Sequence, residues 1–210
     1  SINIMLDKME RQQELEYENE ARFNHLHAIG KHIEDTLREK IGSDLIQVDN
    51  PMRTEGNTIV EDVQNGQDIV VRIKNGEEWV DIFYVEVKSK WDFSEPAHMS
   101  TRQVRMAALH PNEYALCCVD LRKHKHEDLE NLPTEIILEC TNVKMGIGEI
   151  LNPMLKAILE ADNRSDDEQI KISEYRSNMG ASIFEKGDSL DVLLNTIETK
   201  IRQKLSSMSS

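Results

Sequence analysis

Three residues of the 210-residue sequence have the types and spacing for hydrolytic chemistry: Asp68, Glu86 and Lys88. Glu86 and Lys88 stand two apart in Tyr84-Val85-Glu86-Val87-Lys88. That β-branched and aromatic run reads as a strand, so both side chains point to one face. Gln67–Lys74 also reads as a strand, and Asn75-Gly76-Glu77-Glu78 joins it to Trp79–Lys88 as a hairpin turn. With the turn centred near Gly76, Asp68 pairs with a residue near position 85 and comes beside Glu86, although the two are 18 positions apart in sequence. Two carboxylates are hard oxygen ligands of the kind Mg²⁺ or Mn²⁺ takes. An amine beside them can orient or help deprotonate a water, or neutralise charge developing on a phosphate. Together they are equipment for metal-assisted phosphodiester hydrolysis. A lone Glu-x-Lys is more often a salt-bridged strand end. The apolar setting of this one, and the aspartate at matching height on the partner strand, set it apart.

The elements that must position these residues follow from periodicity. Residues 3–41 read as helix, polar through about Glu20 with a thin seam of Met5, Leu6, Met9 and Leu15. A core-facing stripe of Phe23, Leu26, Ile29, Ile33, Leu37 and Ile41 follows, and Gly42-Ser43 is expected to close the helix. Residues 43–66 are turn-rich, with room for a short strand at Leu45–Val48. Ser100–Leu109 reads as a short helix, and Tyr114–Leu121 as a buried central strand. Glu127–Cys140 reads as mostly helical, broken at Pro133, and Ile147–Ala161 as an amphipathic helix. Asp162–Glu168 reads as a polar loop and Ile170–Tyr175 as an edge strand. A last helix starts at a cap on Asp188 or Ser189 and ends at Leu205, before a frayed tail. The order of elements indicates α/β.

Asp68-Ile69-Val70, Val85-Glu86-Val87-Lys88-Ser89-Lys90, Thr101-x-Gln103 and Tyr114-Ala115-Leu116 together resemble the PD-(D/E)xK restriction-endonuclease-like superfamily. More narrowly, they resemble the nuclease-like domain at the C-terminus of the plant protein No Vein and of bacterial ATPases and helicases. The resemblance covers roughly residues 26–125, with a weaker echo in Tyr175–Ile197, and departs from the strict motif in having Gln67 where a proline precedes the aspartate. It implies a mixed β-sheet flanked by helices, with Asp68 and Glu86 as metal ligands and Lys88 as the catalytic amine. It adds a glutamate from the preceding helix, for which Glu34 in Ile29-Gly30-x-x-Ile33-Glu34 is the candidate; the alternative is an ordinary exposed helix glutamate. Gln103 is a further candidate at the catalytic site. The implied cofactor is Mg²⁺ or Mn²⁺. The implied function is a DNA (or RNA) endonuclease acting as the C-terminal effector of a larger bacterial defence or restriction protein, with an ATPase or helicase domain upstream. The rival is an inactive nuclease-like fold serving as an interaction or oligomerisation module.

Around the motif, Lys90, Arg102 and Arg105 are candidate phosphate contacts. Trp91 and Phe93 either stack on a base or close the core over the hairpin. Arg122-Lys123-His124-Lys125-His126 is a second basic cluster or a solvated turn, and the other histidines are too scattered to suggest a metal site. The whole chain carries 25 basic and 39 acidic residues, a net charge of −14, which excludes a domain-wide basic field but leaves room for a local basic cleft. No apolar run is long enough to span a bilayer, and the first residues lack a signal-peptide layout. Cys117, Cys118 and Cys140 form no metal or disulfide framework, so a reducing, cytoplasmic setting is expected. The expected organisation is a linker or coiled-coil helix over 1–22, a nuclease-like domain over 23–205 and a tail over 206–210. The polar helix is expected to pack on an upstream domain or a second copy, which would make a homodimer.

Overall fold

The hairpin forms with one refinement that decides the site. In the computed structural model, which describes residues 2–46, 58–61, 68–92, 97–164 and 176–209, strands β2 (Ile69–Asn75) and β3 (Glu78–Lys90) pair antiparallel. Gly76 has φ +65 while Glu77 does not turn positive, the sign pattern of a type II′ turn. Ile82 is an extra residue: Val71 faces Phe83 but Arg72 faces Asp81. This bulge shifts the register by one, so that Ile69 faces Val85 and Asp68 comes level with Glu86. A ladder without the bulge would leave Asp68 level with Val85, whose side chain points to the other face.

The sheet has five strands in the order β1-β2-β3-β5-β6. Here β1 is Thr58–Glu61, β5 is Tyr114–Asp120 and β6 is Thr141–Met145. Strand β5 runs parallel to β3, and the other pairings are antiparallel. Two further strands, β4 (Ala97–Ser100) and β7 (Arg176–Met179), form a small separate sheet. Helices cover both faces. On one lie α1 (Ile2–Ile46) and α5 (Leu190–Met208), packed on Ile69, Val71, Phe83, Val85, Cys117 and Val119. On the other lie α2 (Thr101–Leu109) and α4 (Ile147–Arg164), packed on Val70, Tyr84, Tyr114, Leu116 and Cys118. A one-turn helix, α3 (Thr134–Glu139), closes the end near α1. The architecture is mixed α/β, as the order of elements indicated.

Several sequence expectations are corrected. Helix α1 does not stop at Gly42-Ser43 but continues to Ile46, and Leu45 is helical rather than strand. Burying Leu45, 1% exposed, is worth about 2 kcal/mol, more than the roughly 1 kcal/mol cost of a helical glycine. The buried stripe begins at Ile29: Phe23 is 68% exposed and Leu26 39%. Ser206–Met208 extend α5 rather than fray. Glu127–Cys140 is mostly helical and broken at Pro133 as expected, although its first piece is a 3-10 turn at Leu129–Asn131 and its second is α3. The edge strand at Ile170–Tyr175, residues 47 and 48 of the expected strand at Leu45–Val48, and residues 165–168 of the polar loop lie outside the described residues.

Candidate active site

Glu86 sits on the α2 side of the sheet, because it shares its strand face with Tyr84, a member of that core. It is only 1% exposed. Burial foremost, and then the charge of Asp68, push its carboxyl up to about 8 against the opposing pull of Lys88. Lys88 Nζ lies 3.0 Å from Glu86 Oε1. The same oxygen accepts a hydrogen bond from Gln103 Nε2. Gln103 Oε1 accepts from Lys88 Nζ at 3.3 Å and from the backbone N–H of Ser100 at 2.9 Å. Ser100 caps α2, and Gln103 is the third residue of that helix, so one capping box both starts the helix and aims an amide at Glu86. Asp68, at the mouth of the hairpin, accepts the Val87 N–H through Oδ2 at 2.7 Å.

Two buried polar atoms here have no hydrogen-bond partner among the described residues: Glu86 Oε2 and the Tyr114 hydroxyl. Burial, followed by the Glu86 and Asp68 charges, raises the Tyr114 phenol far above its ordinary value. A buried carboxylate beside a second carboxylate is costly unless a proton or a cation compensates it, and the raised Glu86 value reflects the first course. Among the described residues no three His, Cys, Asp or Glu side chains converge tightly enough to hold a metal by themselves. Mg²⁺ does not require that, since it commonly uses one or two carboxylates and fills its remaining positions with water and substrate oxygens. The donor set of Asp68 and Glu86 therefore fits such an ion.

A cleft of about 290 Å³ opens onto these groups. Asp68, Glu86, Lys88 and Gln103 line it from the sheet and α2, and Glu34 and Lys31 line it from α1. All five candidate catalytic and metal-binding residues thus border one space. Lys31 was missed; its position one turn from Glu34 on the same helix face could have indicated it. Tyr114 was also missed as a site neighbour. Nothing in a buried apolar strand marks which tyrosine will carry an orphaned hydroxyl.

The outer basic candidates divide. Lys90 is 7% exposed, on the Glu86 and Lys88 face of β3, and borders an adjoining cleft with Arg22 and Trp91. Arg102 and Arg105 stand exposed on α2 and are not among the described lining of either cleft. Trp91 packs against the main core, and Phe93 lies outside the described residues. Arg122 is tied up in a two-pronged pair with Asp120, at 2.8 Å on each side, and a contact to Glu185 at 3.3 Å. His124 pairs with Glu127. The second basic cluster is accordingly a stabilised turn in this respect.

A family model described as Protein NO VEIN, C-terminal, matches residues 45–130. That span contains Asp68, Glu86, Lys88 and Gln103 with the strands and helix that hold them, and it excludes Glu34. No curated protein and no solved structure matches the chain.

Proposed function

We propose that this domain is a metal-dependent nuclease, hydrolysing phosphodiester bonds of DNA or RNA in the cleft between β3, α2 and α1. The observation that carries the reading is Glu86: a carboxylate with one oxygen held by Lys88 and Gln103 and the other buried without a partner, beside Asp68. The ion pair with Lys88 leaves that second oxygen uncompensated, and a bound cation would satisfy it. Asp68 and Glu86 would hold Mg²⁺ or Mn²⁺, with Glu34 a third acidic group on the cleft wall; such an ion would lower the pKa of a bound water and offset phosphate charge.

The chain's own residues do the rest. Gln103, its amide oriented by the Ser100 N–H, fixes Glu86 Oε1 and steers the Lys88 ammonium. Lys88 Nζ, on the cleft wall, donates to a phosphate oxygen and balances the charge that grows as water oxygen bonds to phosphorus. One ester P–O bond breaks, and the leaving oxygen takes up a proton. The wall formed by α1 limits bulk water around the reacting group.

The test is cleavage of circular single-stranded DNA and nicking of plasmid DNA with Mg²⁺ or Mn²⁺ present, each against Lys88→Ala. Metal-dependent cleavage of either substrate, lost in that variant, is the expected result. Cleavage by the variant at the wild-type rate would place the activity elsewhere. The net charge of −14 favours one other reading, an interaction module on the same fold. Absence of both cleavage and a metal-induced thermal shift would favour that module. By the same resemblance, a role in bacterial defence and an upstream ATPase or helicase partner belong to this proposal.

A further inference from the structure

The carboxylate cleft does not end at Lys88. It adjoins a second chamber of about 210 Å³, and the two share Leu26 from α1 and Ser89 from β3 as walls. Arg22, Lys90, Trp91 and Asp92 border this second chamber. Arg22 is exposed on α1, one turn before Leu26. Trp91 packs against the core on one side and borders the chamber on another. The two spaces lie side by side along α1 and the end of β3, and Glu86, at 1% exposure, borders the first of them.

We infer that the two together form a groove for a single, unpaired nucleic-acid strand, which runs from the carboxylates into the Arg22–Trp91 chamber. This rests on the nuclease reading and names its substrate class. A duplex presents its phosphates on a rigid cylinder about 20 Å across, too broad to follow chambers of this size between a helix and a strand end. A flexible single strand can bend into them. Cationic side chains beside an aromatic platform are the equipment that sequence-tolerant single-strand binding uses: Arg22 for phosphate and Trp91 for a base, while Asp92 and the cleft carboxylates balance Lys90 and Lys88.

The experiment uses the full chain without divalent metal, so that binding is read apart from cleavage. A fluorescent oligothymidylate and a duplex of the same length are titrated by anisotropy. The single strand is expected to bind about tenfold more tightly than the duplex, and Arg22→Glu to weaken it by about tenfold without changing the melting temperature. Because Trp91 variants can fail to fold, stacking is read by fluorescence instead. Trp79→Phe removes the only other tryptophan, which stands 40% exposed beside Lys74, well away on the hairpin tip. Trp91 emission in that variant should then quench on adding oligothymidylate. Equal or tighter duplex binding, or an Arg22→Glu chain that binds like wild type, overturns the inference while leaving the nuclease reading standing. Single-strand binding through Arg22 and Trp91 without cleavage under any metal supports the groove and removes the nuclease.

Discussion

Glu86 is the residue on which the chemistry turns. Its environment is built to be unfavourable without a counter-charge: buried, beside Asp68, and with one oxygen unpaired. Mg²⁺ at millimolar concentration should therefore raise the melting temperature of the wild-type chain, because the ion binds the folded state preferentially. Glu86→Gln should abolish that shift and should itself cost little stability, since its amide mimics the neutral carboxyl that burial favours. A thermal melt of both chains with and without Mg²⁺ checks this, and a Glu86→Gln chain that still shifts fully would remove Glu86 from the metal site. Lys88→Ala should behave oppositely, keeping most of the metal-induced shift while losing roughly 100-fold or more of the cleavage rate, because an ammonium stabilises charge without serving as a ligand. Asp120 offers a separate pH test. Arg122 holds its carboxyl below the ordinary range through hydrogen bonds foremost. A depressed folded-state pKa contributes stability above the unfolded value and loses it as pH falls through the folded one. Asp120→Asn should thus cost on the order of 1 kcal/mol at pH 7, and the gap to wild type should close below about pH 4, as urea unfolding at the two pH values would report.

Among the elements, α2 has the most exacting placement, since it carries Gln103 to Glu86. Two contacts fix it. Its N-cap Ser100 is the last residue of β4, which β7 holds in register through the Ser100–Arg176 pair. Its other side rests on α4 through Gly148, where an added Cβ would lie 1.9 Å from the Ala107 carbonyl oxygen. Gly148→Ala therefore sets a helix-propensity gain of about 1 kcal/mol against a clash with backbone, which cannot rotate away. The clash wins, and a net loss of about 3 kcal/mol is expected in chemical denaturation. Displacement of α2 should also weaken cleavage, because the Gln103 amide moves with it. A Gly148→Ala chain as stable as wild type would show that α2 and α4 pack with slack.

Across the whole molecule, α1 joins two regimes. From Ile29 onward its apolar stripe is buried in the main core. Before that, every described side chain from Ile4 to Ala28 is exposed, including Met5, Leu6, Met9 and Leu15. The exposed side chains of residues 4–20 gain little from tertiary packing, which is where most helical stability originates, whereas His25 already reaches Glu130 at 2.7 Å. Deleting residues 1–20 should leave the melting temperature of dilute protein unchanged within the equivalent of about 0.5 kcal/mol. A larger loss would mean that the arm packs on a second copy even at low concentration. The site begins where the arm ends, at Arg22 and Leu26, so whatever binds the arm sits next to the groove.

The hairpin, the shared face of Glu86 and Lys88, the short helix carrying Gln103 and the buried β5 were all legible in the chain, because each rests on local chemistry: a glycine turn, period-two alternation, a helical apolar spacing, a continuous apolar run. The same local rules misplaced the end of α1, where long-range burial of Leu45 outweighs a glycine. They also passed over β1, β4, β6 and β7, short strands of 4 or 5 residues whose pairing partners are not visible locally. The Thr141–Met145 strand has only Val143 as a large buried apolar residue, and it holds its place through bonds to β5 and to Asp188, 45 positions beyond Val143. The site divides in the same way. Sequence spacing brought Asp68 near Glu86, but the bulge at Ile82 set them level, and an extra residue in a strand leaves no mark on a hydrophobic pattern. That Glu34 borders the same cleft, that Lys90 is nearly enclosed, and that Tyr114 ends its ring beside the carboxylates depend on how α1 and α2 lie across the sheet. Such placement is fixed by packing between residues far apart in the chain, and no local period encodes it.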